Sequence, residues 1–270
     1  MKRTIISTLF SLSLLAASLL PALSSSAQEA SVNIIGGEFY PQFAGLDIAY
    51  IETGEGSCSG TLVGKREILT AAHCIAGGPG PSGYSVYVAR QWRSVQSVWY
   101  HSRYKDADLI YRSEKYDLGM IILSQPVQNL TPTPILRGWR VPRGTKVLIA
   151  GYGTNELSGD PDRSFINNFK MGFSKVVKST GSMLECSHSP FRASTCAGDS
   201  GGPVMIPYNT KSFAVVGVIS NGTNEVENHT CYLGSGGYFG NVDLQSPSSR
   251  NFLSAFRGVR YAGMPRKTKR

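Results

Sequence analysis

Short runs rich in Val, Ile and Tyr recur along this chain, each closed by a turn signal. They fall at 47–52, 59–63, 84–90, 95–100, 118–123, 146–152, 169–177, 213–220 and 237–242. Alternation or a short apolar block of that length is the mark of a strand, and runs this brief cannot build long helices. The 30 glycines among 270 residues supply the turns. Gly77-Gly78-Pro79-Gly80-Pro81 and the stretch 158–162 read as loops, because Gly and Pro there break any ladder. One helix is expected near the end: Ser248 and Ser249 can cap it, 251–256 carries it, and Gly258 stops it. These signals predict an all-β chain.

The N-terminus reads as a leader. Lys2 and Arg3 precede an apolar stretch from Ile5 to Leu20 that Pro21 breaks, and Ser25-Ser26-Ala27 offers the small residues a signal peptidase reads. Residues 1–27 are therefore expected to be a signal peptide, and the run is too short and too diluted by hydroxyls to be a membrane anchor. No later stretch is apolar enough to span a bilayer.

Export implies an oxidising compartment, in which an even subset of Cys58, Cys74, Cys186, Cys196 and Cys231 should pair, leaving at least one thiol over or bonded to another molecule. The net charge is +9, and much of the excess lies in Arg257, Arg260, Arg266, Lys267, Lys269 and Arg270. That basic end reads as a solvated tail. No nucleic-acid-binding motif accompanies it, so no nucleic-acid partner is expected. No nucleotide motif or acidic metal cluster is visible, so no cofactor and no metal are expected.

Three segments carry chemistry. In Gly198-Asp199-Ser200-Gly201-Gly202-Pro203, glycines flank a serine on what must be a tight turn, leaving the hydroxyl uncovered and letting two N–H groups point at one spot. Thr70-Ala71-Ala72-His73-Cys74 supplies a base, and Tyr116-Asp117-Leu118-Gly119-Met120-Ile121 sets an acid before an apolar strand. Serine is a poor nucleophile at its own pKa, so it needs a base, and the base needs an orienting carboxylate. His101, His188 and His229 sit in no motif and read as ordinary histidines.

Together these segments, in the order His, Asp, Ser, resemble the chymotrypsin-like (trypsin-family) serine proteases, from about Ile34 to the terminal helix. The resemblance implies two packed six-stranded antiparallel β-barrels with a short C-terminal helix and the site in the cleft between them. It divides the chain into a signal peptide (1–27), a short propeptide (28–33), a protease domain (34–258, barrels about 34–135 and 136–247) and a basic tail (259–270). It implies a secreted serine endopeptidase, extracellular or periplasmic, acting on protein or peptide substrates. Ser200 would be the nucleophile, His73 the base, Asp117 its orienting acid, and the N–H groups of Gly198 and Ser200 the oxyanion hole. It also implies the bridges Cys58–Cys74 and Cys196–Cys231, with Cys186 as the odd thiol.

Ile34-Ile35-Gly36-Gly37 is similar to the mature N-terminus of that family, where a freed Ile amine pairs with the acid beside the nucleophile, here Asp199. Asn33 stands where a basic residue is common, so the activating protease would not be trypsin-like. The pocket base corresponds to Ser194, with Ser220, Gly222 and Gly237 as substrate-binding positions. An uncharged base and glycine walls imply a chymotrypsin-like taste for large apolar or aromatic P1 residues. Glu225 and Glu227 in 223–230 keep a preference for basic residues as an alternative, and Ile219 argues against Glu specificity. The rival readings of the whole chain are an unprocessed zymogen and a catalytically silent binding protein on the same fold.

Overall fold

A computed structural model describes residues 47–54, 56–105, 114–153, 169–188, 193, 195–209, 212–223 and 237–264. The expected signal peptide and propeptide, Ile34, Ser194, Glu225, Glu227, His229, Cys231 and the last six residues lie outside them. The first six strands are β1 (Ile48–Glu52), β2 (Ser57–Leu62), β3 (Glu67–Thr70), β4 (Ser85–Val88), β5 (Gln91–Tyr100) and β6 (Gly119–Leu123). They close a barrel in the order β1-β2-β3-β6-β5-β4, antiparallel throughout. Then come β7 (Ile135–Arg137), β8 (Lys146–Gly151), β9 (Lys170–Ser179), β10 (Met183–His188), β11 (Pro203–Pro207), β12 (Phe213–Thr223) and β13 (Gly237–Asp243). Strands β11-β8-β9-β10-β13-β12 form a second six-stranded barrel, closed by β11 pairing β12.

The period-2 alternation of the second barrel's strands explains how the two barrels pack. In β8, Val147 and Ile149 fill the second barrel, while Leu148 and Ala150 face the core shared with the first. In β11, Val204 and Ile206 point one way and Met205 the other; in β12, Ala214 and Val216 oppose Val215. Strands buried on both faces read as continuous apolar runs, which is how 146–152 and 213–220 stand out in the sequence. Ile51, Leu62, Ile68, Leu69, Met120, Ile121 and Leu123 are fully buried in the first barrel.

The helix α1 (Pro247–Ser254) starts earlier than expected. Its cap is Ser246, whose Oγ accepts from Ser249 N at 3.0 Å, with Pro247 opening the first turn. Beyond it, part of the expected basic tail folds back as β14 (Tyr261–Gly263), parallel to β7, which is itself parallel to β12. Neither parallel pairing was expected. The return is pinned by Arg260, whose N–H donates to Val63 O at 2.7 Å and whose carbonyl accepts from Ile135 N at 2.8 Å.

The β4–β5 hairpin turns on Ala89 and Arg90, both at positive φ (53° and 60°). Two left-handed residues in a two-residue loop form the turn that Asn-Gly suits, and a side chain with Cβ there costs about 1–2 kcal/mol per residue. Replacing the pair by Asn-Gly is expected to stabilise the fold by about 1 kcal/mol, read as a higher urea midpoint at unchanged slope. A lower midpoint would show that Arg90 earns its strained position through its side chain.

Candidate active site

Pairing of Thr70 with Gly119 between β3 and β6 brings the segments after β3 and before β6 to one end of the first barrel. His73 and Asp117 meet there. His73 N donates to Asp117 Oδ1 at 2.8 Å, and His73 Nδ1 lies 2.7 Å from Asp117 Oδ2. A carboxylate can only accept, so Nδ1 carries a proton, and in the neutral imidazole this tautomer presents the Nε2 lone pair. Gly119 keeps the strand close: a Cβ there would lie 2.7 Å from Ile75 Cδ1 and 2.9 Å from Ala71 O. The Cys58–Cys74 disulfide ties β2 to the residue after His73.

Asp117 is 1% exposed. Burial acts to raise its carboxyl, but hydrogen bonds from His73 and Ser220, with the charge His73 carries when protonated, outweigh it and leave the carboxyl below its ordinary value. The Ser220 contact was not foreseen in the sequence: its Oγ donates to Asp117 Oδ2 at 2.6 Å, adding a hydrogen bond to the acid beside its expected place at the substrate pocket.

The Ser200 turn belongs to the second barrel and is anchored to the first through Ser59, a residue the sequence reading passed over. Ser59 N donates to Ser200 O at 2.7 Å, and Ser59 Oγ donates to Gly198 O at 2.8 Å while accepting from Tyr152 N at 2.9 Å. The Ser200 carbonyl lies 3.7 Å from Cys74 Sγ, next to His73. Among the described residues the Ser200 hydroxyl makes no hydrogen bond to His73, a contact that commonly tightens only when substrate arrives.

Gly198 and Gly201 have φ of +90° and +83°. A Cβ at Gly201 would sit 2.2 Å from Thr70 Oγ1 and 2.3 Å from Ser59 O, so only glycine fits. The turn uses Asp199 N on Cys196 O and Gly201 N on Ile219 O. Among the described residues the N–H groups of Gly198 and Ser200 have no acceptor.

Asp199 is fully buried. Gly153 N donates to its Oδ1 and Cys196 N to its Oδ2, each at 2.9 Å, yet burial pushes the carboxyl up to about 7. Gly151 and Gly153 wall it in, since a Cβ at either would lie 2.2 Å from Oδ1 or 2.6 Å from Cγ. Cys196 is disulfide-bonded. Cys186 is a free, buried thiol that accepts from Asn241 Nδ2 at 3.5 Å, and burial pushes it up to about 12, so it is inert at neutral pH. Gly222 pairs with Phe239 and Gly237 with His188, which puts both expected pocket glycines on the β12–β13–β10 ladder.

The family model described as Trypsin matches residues 34–238. Phenoloxidase-activating factor 3 of Holotrichia diomphalia is 26% identical over 204 residues, 61% of this chain and 56% of that protein. Serine protease SP24D of Anopheles gambiae is 31% identical over 186 residues, 61% of this chain and 63% of its own. Chymotrypsin-C of Rattus norvegicus is 25% identical over 226 residues, covering 72% and 80%. This chain thus spans about three fifths of the length of the first two relatives. Among solved structures, neuropsin, a serine protease expressed in the limbic system of mouse brain, superposes with a TM-score of 0.60 at 23% identity, covering 81% of this chain and 97% of that one, and so shares the fold. The chain belongs to the trypsin family of serine proteases.

Proposed function

We propose that the chain is a secreted serine endopeptidase that hydrolyses peptide bonds through an acyl-enzyme on Ser200. The observation that carries this is the hydrogen-bonded line Ser220–Asp117–His73, with Nε2 of His73 left basic beside the Ser200 turn. His73 takes the Ser200 proton as the hydroxyl attacks the scissile carbonyl, then returns it to the leaving amine. Asp117 holds the tautomer and stabilises the imidazolium. The unspent N–H groups of Gly198 and Ser200 receive the oxyanion, each worth roughly 3 kcal/mol of barrier.

A signal peptide over 1–27 directs export, and cleavage after Asn33 by a protease that is not trypsin-like frees the Ile34 amine. The buried Asp199 supports that step, because a carboxylate so enclosed gains from an ammonium partner. With Ser194 at the pocket base, large apolar or aromatic P1 residues are preferred. Among the described residues no helix is long and apolar enough to cross a membrane.

A serine-directed phosphonate probe is expected to label the exported protein, and Ser200→Ala to abolish labelling. A folded protein with a free Ile34 terminus that still failed to label would instead be a silent binding protein. A P1 library should show cleavage after Phe, Tyr, Leu or Met; cleavage after Arg or Lys would transfer the pocket charge to Glu225 or Glu227. Ser220→Ala removes one hydrogen bond to a charged group and is expected to slow labelling about tenfold or more, with the protein still folded. An unchanged rate would separate Ser220 from the catalytic line.

Asp199 also sets a pH dependence. In uncleaved protein the folded acid holds its proton up to about 7, whereas an unfolded one releases it near the ordinary 3.8. Across that window the unfolded state binds fewer protons, so stability falls as pH rises from about 4 to about 7 and then levels off. Asp47, also raised to about 7, adds to the same slope. Urea titrations at several pH values should therefore show a shallower slope in Asp199→Asn and after the Ile34 amine is freed. An equal slope in all three forms would mean that Asp199 is ionised throughout.

A further inference from the structure

A cavity of about 690 Å³ opens between the turn after β5, the residues just before Asp117, the turn before β10 and the first turn of α1. Its charged lining residues are Arg103 and Lys115, and no carboxylate lines it among the residues whose side chains are described. Neither cation has a carboxylate partner among those residues. Both instead lie against one ring: Lys115 Nζ is 5.0 Å and Arg103 Cζ 5.8 Å from the centroid of Tyr116, and Arg103 Nη1 is 3.4 Å from its hydroxyl. Two cations gathered at one ring on the cavity wall, with no carboxylate beside them, favour an anion in the cavity.

The rest of the wall is polar and oriented. His101, 6% exposed, stacks on Tyr116 at 4.9 Å. Its Nδ1 accepts from Arg103 N at 3.1 Å, so the proton is on Nε2, which donates to Ser248 Oγ at 2.8 Å. Burial and the Arg103 charge lower the pKa of His101 and favour this neutral form. Ser248 accepts that bond and keeps its own hydroxyl proton to give. Ser102, Ser182 and Asn251 add further donors. The nearby carboxylate, Asp243, is buried, receives Gln245 N at 2.8 Å and is set against Arg140 and Arg250, so it does not neutralise the cavity.

We propose that this cavity binds a tetrahedral oxyanion, a sulfate or phosphate group, through the Arg103 guanidinium, the Lys115 ammonium and the Ser248 hydroxyl. The group is either a free ion or an ester carried on a saccharide. The site is separate from the cleft chemistry, although Tyr116 adjoins Asp117 in the chain.

The test is calorimetric titration of the full exported protein with inorganic phosphate and with sulfate, at ionic strength held constant with chloride. One saturable site is expected. Arg103→Gln with Lys115→Gln should weaken it about tenfold or more, Ser248→Ala should weaken it less, and Arg90→Gln, a surface cation elsewhere, should leave it unchanged. Melting curves of each variant confirm that the fold is kept. A response that does not saturate, or that survives in the double variant, overturns the proposal. A sulfated disaccharide that outcompetes the free ion, where its unsulfated parent does not, identifies an ester as the ligand; equal competition identifies the free ion.

Discussion

A buried carboxylate organises this molecule. Asp117 is almost wholly removed from water, and an ionised acid in that position is tolerated only if its lone pairs are filled. Three donors fill them, and they come from both barrels: the backbone and ring of His73 from the first, and the hydroxyl of Ser220 on β12 from the second. Filling these lone pairs therefore joins the barrels at the one place where the imidazole must be held in a single tautomer. Geometry that would be costly in an isolated hairpin becomes the satisfied state of the whole fold.

The Ser200 turn follows the same logic. Gly198 and Gly201 adopt positive φ and the backbone at Gly201 runs against Ser59, Thr70 and Ala71, so the turn is shaped by the first barrel as much as by its own sequence. Beneath it, Asp199 is enclosed by Gly151 and Gly153 with only backbone N–H groups for company among the described residues. The two acids contrast instructively. Asp117 has an imidazole partner and lies below its ordinary pKa, whereas Asp199 has none there and lies above it. Burial is common to both, and the partner decides the sign.

What could be read in the sequence was local. The Gly-rich turn, the His segment and the Asp before an apolar strand each announce themselves within a few residues, and the longer strands declare themselves by alternation or by two-sided burial. What escaped depends on distance along the chain. Ser59 and Gly198 are 139 residues apart, Ser220 and Asp117 are 103 apart, and nothing near either serine signals its partner. Strand β3 is too short to show a period. Strand β11 is bounded by two prolines, a pattern that argues against a strand until its place at the barrel's closure is known. The tail reads as solvated because its charges dominate, yet Val259 is buried and Tyr261 packs under Arg137, whose guanidinium carbon is 3.3 Å from the ring centroid.

That returning tail bears on how the cleft keeps its shape. Arg260 bonds through its backbone to Val63 of the first barrel and to Ile135 of β7, in the linker 130–137 between the barrels, and its side chain donates to Pro132 O at 2.9 Å. Gly258 lies against the Glu67 carboxylate, which a Cβ there would have to displace. The linker is thus held between the first barrel and the end of the chain, while Val215 N on Pro134 O carries it onto the second. Backbone hydrogen bonds of this kind tolerate little sliding. A segment that composition alone marks as dispensable therefore helps fix the spacing at which Ser220 can reach Asp117.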